Sequence, residues 1–327
     1  MTTQDTRLIE TFEARARRRD DRRAFFTAAL GAAALGTAFA YADPAKAQAA
    51  VTDADVLNFA LNLEYLEAQF YLFAANGTGL TADMTTGPSG VAGGTVTGGA
   101  KVDFTGDPLV GAYAREIAAD ELAHVKFLRA ALGTAAVAMP NINISGDASG
   151  PFTAAARAAG VVSATDTFNP YSSPNNFLLG AFIFEDVGVT AYKGAAPLVS
   201  NKTFLEAAAG ILAVEAYHAA IVRTTLYAKG IPALVDATEK ISGARDALDG
   251  NPTEDLVRGI APDDDQGIAP TGSGATLTSN IVPLNSNGLA YSRTPGQVLN
   301  IVYLNAGAAT MGGFFPSGVN GSIKSTT

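Results

Sequence analysis

Apolar, helix-favouring residues occupy nearly every face of four long stretches, 53–75, 108–132, 175–195 and 203–229. Helices of that kind are buried in a bundle rather than laid on a surface. Punctuation supports the boundaries. Asp53 is placed to cap the first, and Asp107 with Pro108 opens the second, which stops at Gly133. Ser172-Ser173-Pro174 precedes the third, and Gly230 with Pro232 closes the fourth. The first pair is joined by 76–106, a Gly- and Thr-rich stretch too long for an ordinary bundle loop and expected to be a β-hairpin excursion or a mobile flap. Residues 140–174 predict one short helix, around 152–159. After Gly230 a fifth helix is predicted over 233–248, and the chain then turns Gly-, Pro-, Asp- and Ser-rich. The apolar run 298–304 reads as a strand or extended segment wrapping the bundle. The fold class is all-α: an up-down four-helix bundle with a Gly/Thr-rich insertion and an irregular, partly extended C-terminal region.

A different pattern precedes these helices. Arg15, Arg17, Arg18 and Arg19 make a basic start, Arg22-Arg23 lead into Phe25-Phe26, and an uncharged Ala-rich run extends to Ala42. Small residues around Ala47 and Ala49 offer cleavage sites after either. This is the layout of a secretory signal, and the paired arginines followed by phenylalanines resemble a twin-arginine signal. The alternative is an uncleaved membrane anchor, since the run is nearly long enough to span a bilayer. The expected organisation is a signal over 1–49, a bundle over 50–230 and a C-terminal extension over 231–327. No later segment is expected to cross a membrane, and the expected location is periplasmic or extracellular.

Composition narrows the chemistry. With no Cys among 327 residues, disulfide frameworks, Cys-ligated metals and Cys nucleophiles are excluded. Without residues 1–49 the chain keeps 14 basic and 25 acidic residues, a net of −11, which excludes nucleic acid as the main partner. Asp263-Asp264-Asp265 reads as a solvated turn. Histidine occurs only twice, and both occurrences follow a glutamate by three residues: Glu121-Leu-Ala-His124 and Glu215-Ala-Tyr-His218. With 11 Glu in the chain, that coincidence has a chance of about one in a thousand. On a helix the spacing puts carboxylate and imidazole on one face.

Two more carboxylates stand alone in apolar helical stripes. Glu64 has Leu57, Ala60, Ala68 and Tyr71 at i±4 and i±7, and Glu185 has Leu178, Ala181, Val189 and Tyr192. Four unpaired carboxylates in a core would cost several kcal/mol each, and two divalent cations would neutralise them. One Glu from each of two helices, with Glu-x-x-His from each of the others, is a known ligand set for di-iron and di-manganese bundles. The chain also repeats. Glu64 and Tyr71 match Glu185 and Tyr192, while Glu121, His124, Arg129 and Leu132 match Glu215, His218, Arg223 and Leu226. A duplicated helical hairpin follows. Glu67 competes with Glu64, but its counterpart is Gly188, so Glu64 is preferred as ligand, with Glu67 in support. Tyr71 and Tyr192 are expected either to hydrogen-bond into the site or to be plain core aromatics.

Glu-x6-Tyr followed by Glu-x-x-His, twice over, resembles the ferritin-like superfamily of rubrerythrins, ferritins and manganese catalases. The segment Leu57-Asn58-Phe59-Ala60-Leu61-Asn62-Leu63-Glu64-Tyr65-Leu66-Glu67 resembles the exported ferritin-like, desiccation-related proteins of bacteria and plants. Gly312-Gly313-Phe314-Phe315-Pro316-Ser317-Gly318-Val319-Asn320-Gly321 is similar to that family's C-terminal motif. The resemblance implies a bundle with a dinuclear iron or manganese centre, open to O₂ or peroxide. It leaves three functions to compare: oxidase or peroxide-scavenging activity in stress protection, a structural or assembly protein using metal as a staple, and an iron-storage cage. The insertion and tail disfavour the cage. A homo-oligomer is compatible with all three.

Overall fold

The computed structural model describes residues 51–250, 265–285 and 287–327. The signal expected over 1–49 lies outside them, as do Asp263 and Asp264. Chain order gives α1 (Asp53–Asn76), α2 (Ala82–Thr85), β1 (Val96–Gly98), α3 (Pro108–Leu132), β2 (Ile142–Ile144) and α4 (Pro151–Ala158). These are followed by α5 (Pro174–Ala195), α6 (Lys202–Ala228), α7 (Pro232–Asp249) and α8 (Pro295–Tyr303).

The four bundle helices are α1, α3, α5 and α6, and short polar side chains start each of them. Thr52 and Asp55 form a reciprocal capping box on α1, and Gly77, with φ of 81°, ends it in a left-handed turn. Asp107, Ser173 and Asn201 accept from the first free N–H groups of α3, α5 and α6. Asp53, expected as the α1 cap, sits one residue inside. Its carboxylate instead accepts from the backbone N–H groups of Ser200 and Asn201, tying the start of α1 to the start of α6.

α1 packs on α3 and α5 on α6; Tyr65 meets Arg129 while Asn58 meets Ala135 just past α3, and Asp186 meets Arg223 while Gly188 meets Glu215, so each pair is antiparallel. Tyr71 meets Glu185 and Tyr192 meets Glu64, so α1 and α5 also run in opposite directions. The crossover over 133–173 makes this possible by returning the chain to the end of the bundle where α3 began, giving helix directions up, down, down and up. A two-fold pseudo-axis then relates the hairpins across the bundle centre.

The excursions are built differently from expectation. Residues 76–106 form neither a hairpin nor a free flap: β1 pairs in parallel with β2 of the crossover, Val96 opposite Ile142. A parallel partner must come from elsewhere in the chain, which local spacing cannot reveal. The run 298–304 is not a strand; α8 takes in 298–303 and Leu304 caps its end, the helix being opened by a Thr294–Gln297 capping box. Asp265, expected in a solvated turn, is buried between Arg245 and Arg293. By length and composition α6 would pass as a membrane span, against the expectation that no later segment would. Only 33% of its most apolar window is buried, yet Glu215, His218 and Arg223 on it all face the protein interior.

The matching arginines of the repeat have matching jobs. Arg129 on α3 donates to Tyr65 and to the carbonyls of Asp83 and Thr86, fastening the first excursion. Arg223 on α6 donates to Asp186 and to the carbonyls of Gln266, Gly267, Asn280 and Ile281, fastening the tail. Each arginine thus reaches the residue after the lone glutamate of its own hairpin. Asn58 brackets Ala135 and Val137 of the crossover, and Asn62 exchanges two hydrogen bonds with the backbone of Asn320. Phe314 from the C-terminal motif packs edge-on against Phe152 and Phe184. The tail therefore closes the bundle flank between α1 and α5.

Candidate metal centre

Each bundle helix delivers one carboxylate to the middle of the core: Glu64, Glu121, Glu185 and Glu215, all at most 1% exposed. His124 and His218, nearly one turn further along α3 and α6, join them. Two donor groups result, Glu64 with Glu121, His124 and Glu215, and Glu185 with Glu215 and His218. Within each group, one ligand atom per residue lies within 4.8 Å of the others. Glu215 serves both groups. Glu121 also spans them, with Oε1 3.1 Å from His218 Nδ1 and Oε2 3.6 Å from His124 Nδ1. All six residues singled out by spacing are thus brought to one place. Glu67 is buried beside them but belongs to neither group.

The tyrosines cross over. Tyr71 donates to Glu185 of the other hairpin, and Tyr192 donates to Glu64. Each holds one carboxylate oxygen and leaves the other for the interior. Two further residues shape the site: Asp120, which the spacing did not single out, and Gly188, which the repeat named only as the counterpart of Glu67. Asp120 Oδ2 lies 3.1 Å from His218 Nε2, and Gly188 clears space for Glu215. A Cβ at Gly188 would stand 2.3 Å from Glu215 Oε2, so any side chain there displaces that carboxylate. The repeat had already set Gly188 against Glu67; a close approach is the physical reason.

Whether the pocket suits a metal can be tested on its own atoms. Among the described residues, six of the eight buried side-chain polar atoms that lack a hydrogen-bond partner belong here. They are both oxygens of Glu121, both of Glu215, one of Glu185 and Nδ1 of His218. Buried groups are normally paired, and orphans are costly. Among the described residues no Lys or Arg forms an ion pair with any of these glutamates. A buried mixed carboxylate and imidazole set suits divalent transition-metal ions and does not by itself select one.

Without a cation the cluster holds itself together with protons. Burial, then the Glu121 charge, pushes Glu64 up from 4.5 to about 7; burial pushes Glu185 up to about 8 despite the His218 charge. Glu67 and Glu215 rise well above the usual range, by burial first and neighbouring carboxylates second. Burial opposes charging the imidazoles, but Glu121 and Glu64 lift His124 to about 11, and Glu185 and Glu121 lift His218 to about 9. Glu121 is depressed to about 2, because its contacts with the two imidazoles outweigh its burial.

The raised groups bind protons more tightly folded than unfolded. Their contribution to stability is full below their unfolded values and is lost as pH rises through their folded ones. For Glu64 and Glu185 that window runs from 4.5 to about 8, and Glu121 acts oppositely only between 4.5 and about 2. The unfolding temperature of chelator-treated protein is therefore expected to fall between pH 5 and pH 8 in calorimetry. A flat or rising profile would contradict the proton-held cluster. With metal bound the slope reverses, because metal replaces those protons and competes better as they become scarce.

Opposite Glu67 the core has little room. A void of about 20 Å³ is lined by Glu67, Gly188, Leu63, Ile301 and Phe314 among others, the last two contributed by the tail. That is room for a molecule the size of water.

Comparison with known proteins agrees with this geometry. The profile of the ferritin-like domain matches residues 52–228. The ferritin-like catalase Nec2 of Nesocodon mauritianus is 30% identical over 280 residues, covering 83% of this chain and 84% of that protein. The desiccation-related protein PCC13-62 of Craterostigma plantagineum is 27% identical over 285 residues, covering 84% and 85%. No solved structure matches the chain. With its bundle, its duplicated glutamate and histidine pattern and a profile match over more than half its length, the chain belongs to the ferritin-like family.

Proposed function

We propose that this protein holds a dinuclear manganese or iron centre and scavenges peroxide by disproportionation, as an exported stress-protection protein. The observation that carries the reading is the set of six orphaned donor atoms converging from four helices. Glu64, Glu121 and His124 would hold one ion and Glu185, Glu215 and His218 the other, with Glu121 and Glu215 shared. Two such ions supply a redox pair that exchanges two electrons with a small oxygen-containing substrate.

The chain's own residues set the conditions. Tyr71 and Tyr192 orient the Glu185 and Glu64 carboxylates from across the pseudo-axis. Burial, then the charges of the neighbouring carboxylates, pushes the Glu67 carboxyl well above the usual range, which suits it to supply a proton within this core. Proton transfer matters because converting two peroxides to O₂ and two waters moves two protons from one peroxide to the other. Leu63, Ile301 and Phe314 line the void by Glu67 with apolar surface, and it is small enough to suit a substrate of few atoms. The relative named a catalase supports the chemistry, and the relative named desiccation-related supports the physiological setting. The signal-like residues before the bundle support export by the twin-arginine route.

The test is stoichiometric. Protein purified with its native metal, and protein reloaded with Mn²⁺ or Fe²⁺, is assayed for metal content and for O₂ release from hydrogen peroxide. One O₂ per two peroxides is expected. A metal-replete sample that neither releases O₂ nor oxidises Fe²⁺ would leave the metal as a structural staple and sink the enzymatic reading.

A further inference from the structure

The pseudo-two-fold axis relates Glu64 to Glu185, Tyr71 to Tyr192, Glu121 to Glu215 and His124 to His218, but it fails immediately before the shared glutamates. Asp120 precedes Glu121, while Val214 precedes Glu215. The consequence falls on the imidazoles. His218, 2% exposed at its side chain, has Nε2 3.1 Å from Asp120 Oδ2, and that carboxylate stands at the surface with 43% of its side chain exposed. A carboxylate accepts only, so Nε2 donates to Asp120, which holds the ring from behind with Nδ1 facing inward. That Nδ1 lies 3.1 Å from Glu121 and 3.6 Å from Glu185 and has no hydrogen-bond partner. His124 is arranged otherwise. Its Nδ1 is engaged by Glu64 at 3.1 Å, and the position that matches Asp120 in the repeat holds Val214, which has no acceptor to offer.

We infer that the two metal positions are inequivalent: Asp120 presets His218 as a ligand, so the position formed by Glu185, Glu215 and His218 fills first and holds its ion more tightly. Asp120 is a positioning residue. It touches neither the inward-facing Nδ1 nor the shared oxygens, and it acts through the far side of the ring. A carboxylate behind a ligating histidine fixes ring orientation and raises ligand basicity, and its loss weakens metal binding by about 10- to 100-fold.

The inference rests on the cluster being a dinuclear centre, and the experiment separates the two. Metal-free protein is titrated with Mn²⁺ alone and followed by electron paramagnetic resonance, with affinities taken from calorimetry. In the wild-type protein the first equivalent is expected to give the spectrum of an isolated ion, and the second an exchange-coupled pair. Asp120→Asn keeps the size of the side chain but replaces a full carboxylate acceptor by a neutral amide at a partly exposed position. It is expected to weaken the first step by about 10- to 100-fold and leave the second nearly unchanged. Val214→Asp supplies the missing carboxylate and is expected to tighten the second step towards the first. His124→Ala should retain the isolated-ion spectrum and His218→Ala should lose it. Equal steps in the wild-type protein, a coupled spectrum from the first equivalent, or equal weakening of both steps by Asp120→Asn would overturn the inequivalence while leaving the dinuclear centre standing. Failure of any Mn²⁺ to bind would remove the dinuclear reading and the inference with it.

Discussion

Replacing Glu121 by alanine is expected to empty both metal positions at once, taking the content from about two ions per chain to none and peroxide consumption to background. The reason is placement. Glu121 faces His218 through one oxygen and His124 through the other, so it belongs to both halves of the site. Loss of a carboxylate serving one position would leave the second intact, whereas loss of a shared one removes a negative charge and a ligand from each. The substitution also leaves the two imidazoles without the group that does most to hold His124 in its charged form, and Glu64 remains as its partner. Elemental analysis of Glu121→Ala beside Glu64→Ala distinguishes the cases, with about one ion retained in Glu64→Ala. If Glu121→Ala keeps half of its metal, Glu121 is not shared and the assignment of bridging oxygens is wrong.

The second large effect concerns stability. Arg223 is 1% exposed and donates five hydrogen bonds, one to Asp186 and four to tail carbonyls. Asp186 is shared with Arg245, and Arg245 pairs in turn with Asp265, which also binds Arg293. Removing one member of such a buried network strands the others, and the cost is typically about 3–5 kcal/mol. Arg223→Ala is expected to lower the unfolding temperature by about 10 °C for a chain of this size. The same substitution at Arg129, which makes three bonds at a partly exposed position, should cost about 1–2 kcal/mol. Thermal melts of both variants, with metal content measured on the folded fraction, check the contrast. Equal losses would mean that burial and bond number at Arg223 do not set its contribution.

Helix identity and the six converging residues were legible because both depend on short-range periodicity. An i, i+3 pair on a helix needs no knowledge of the rest of the fold. What escaped depends on distance along the chain. Asp120 was adjacent to a predicted ligand, yet its partner His218 is 98 residues away, and nothing in either local pattern links them. The parallel pairing of β1 with β2 and the burial of Asp265 between Arg245 and Arg293 have the same character. Residues 298–304 were misread for a different reason. Their branched apolar side chains suit a buried strand or a buried helix turn equally, and the decision was made outside the run, by the cap at Thr294. The apolar character of α6 also misled. Alanine tolerates core and surface alike, so a helix rich in it looks buried all round while exposing much of its girth.

The crossed tyrosines have a consequence for how such a site is built. Tyr71 travels in sequence with Glu64 but serves Glu185, and Tyr192 travels with Glu185 but serves Glu64. A single hairpin therefore contains every residue type the site requires but cannot supply the hydroxyl for its own glutamate. Two hairpins must meet face to face before either glutamate has its hydroxyl. This is the logic of a symmetric dimer whose partners have been spliced into one polypeptide. Once they are joined, the halves are free to diverge, one gaining an aspartate and the other a glycine, without the risk of pairing with the wrong copy.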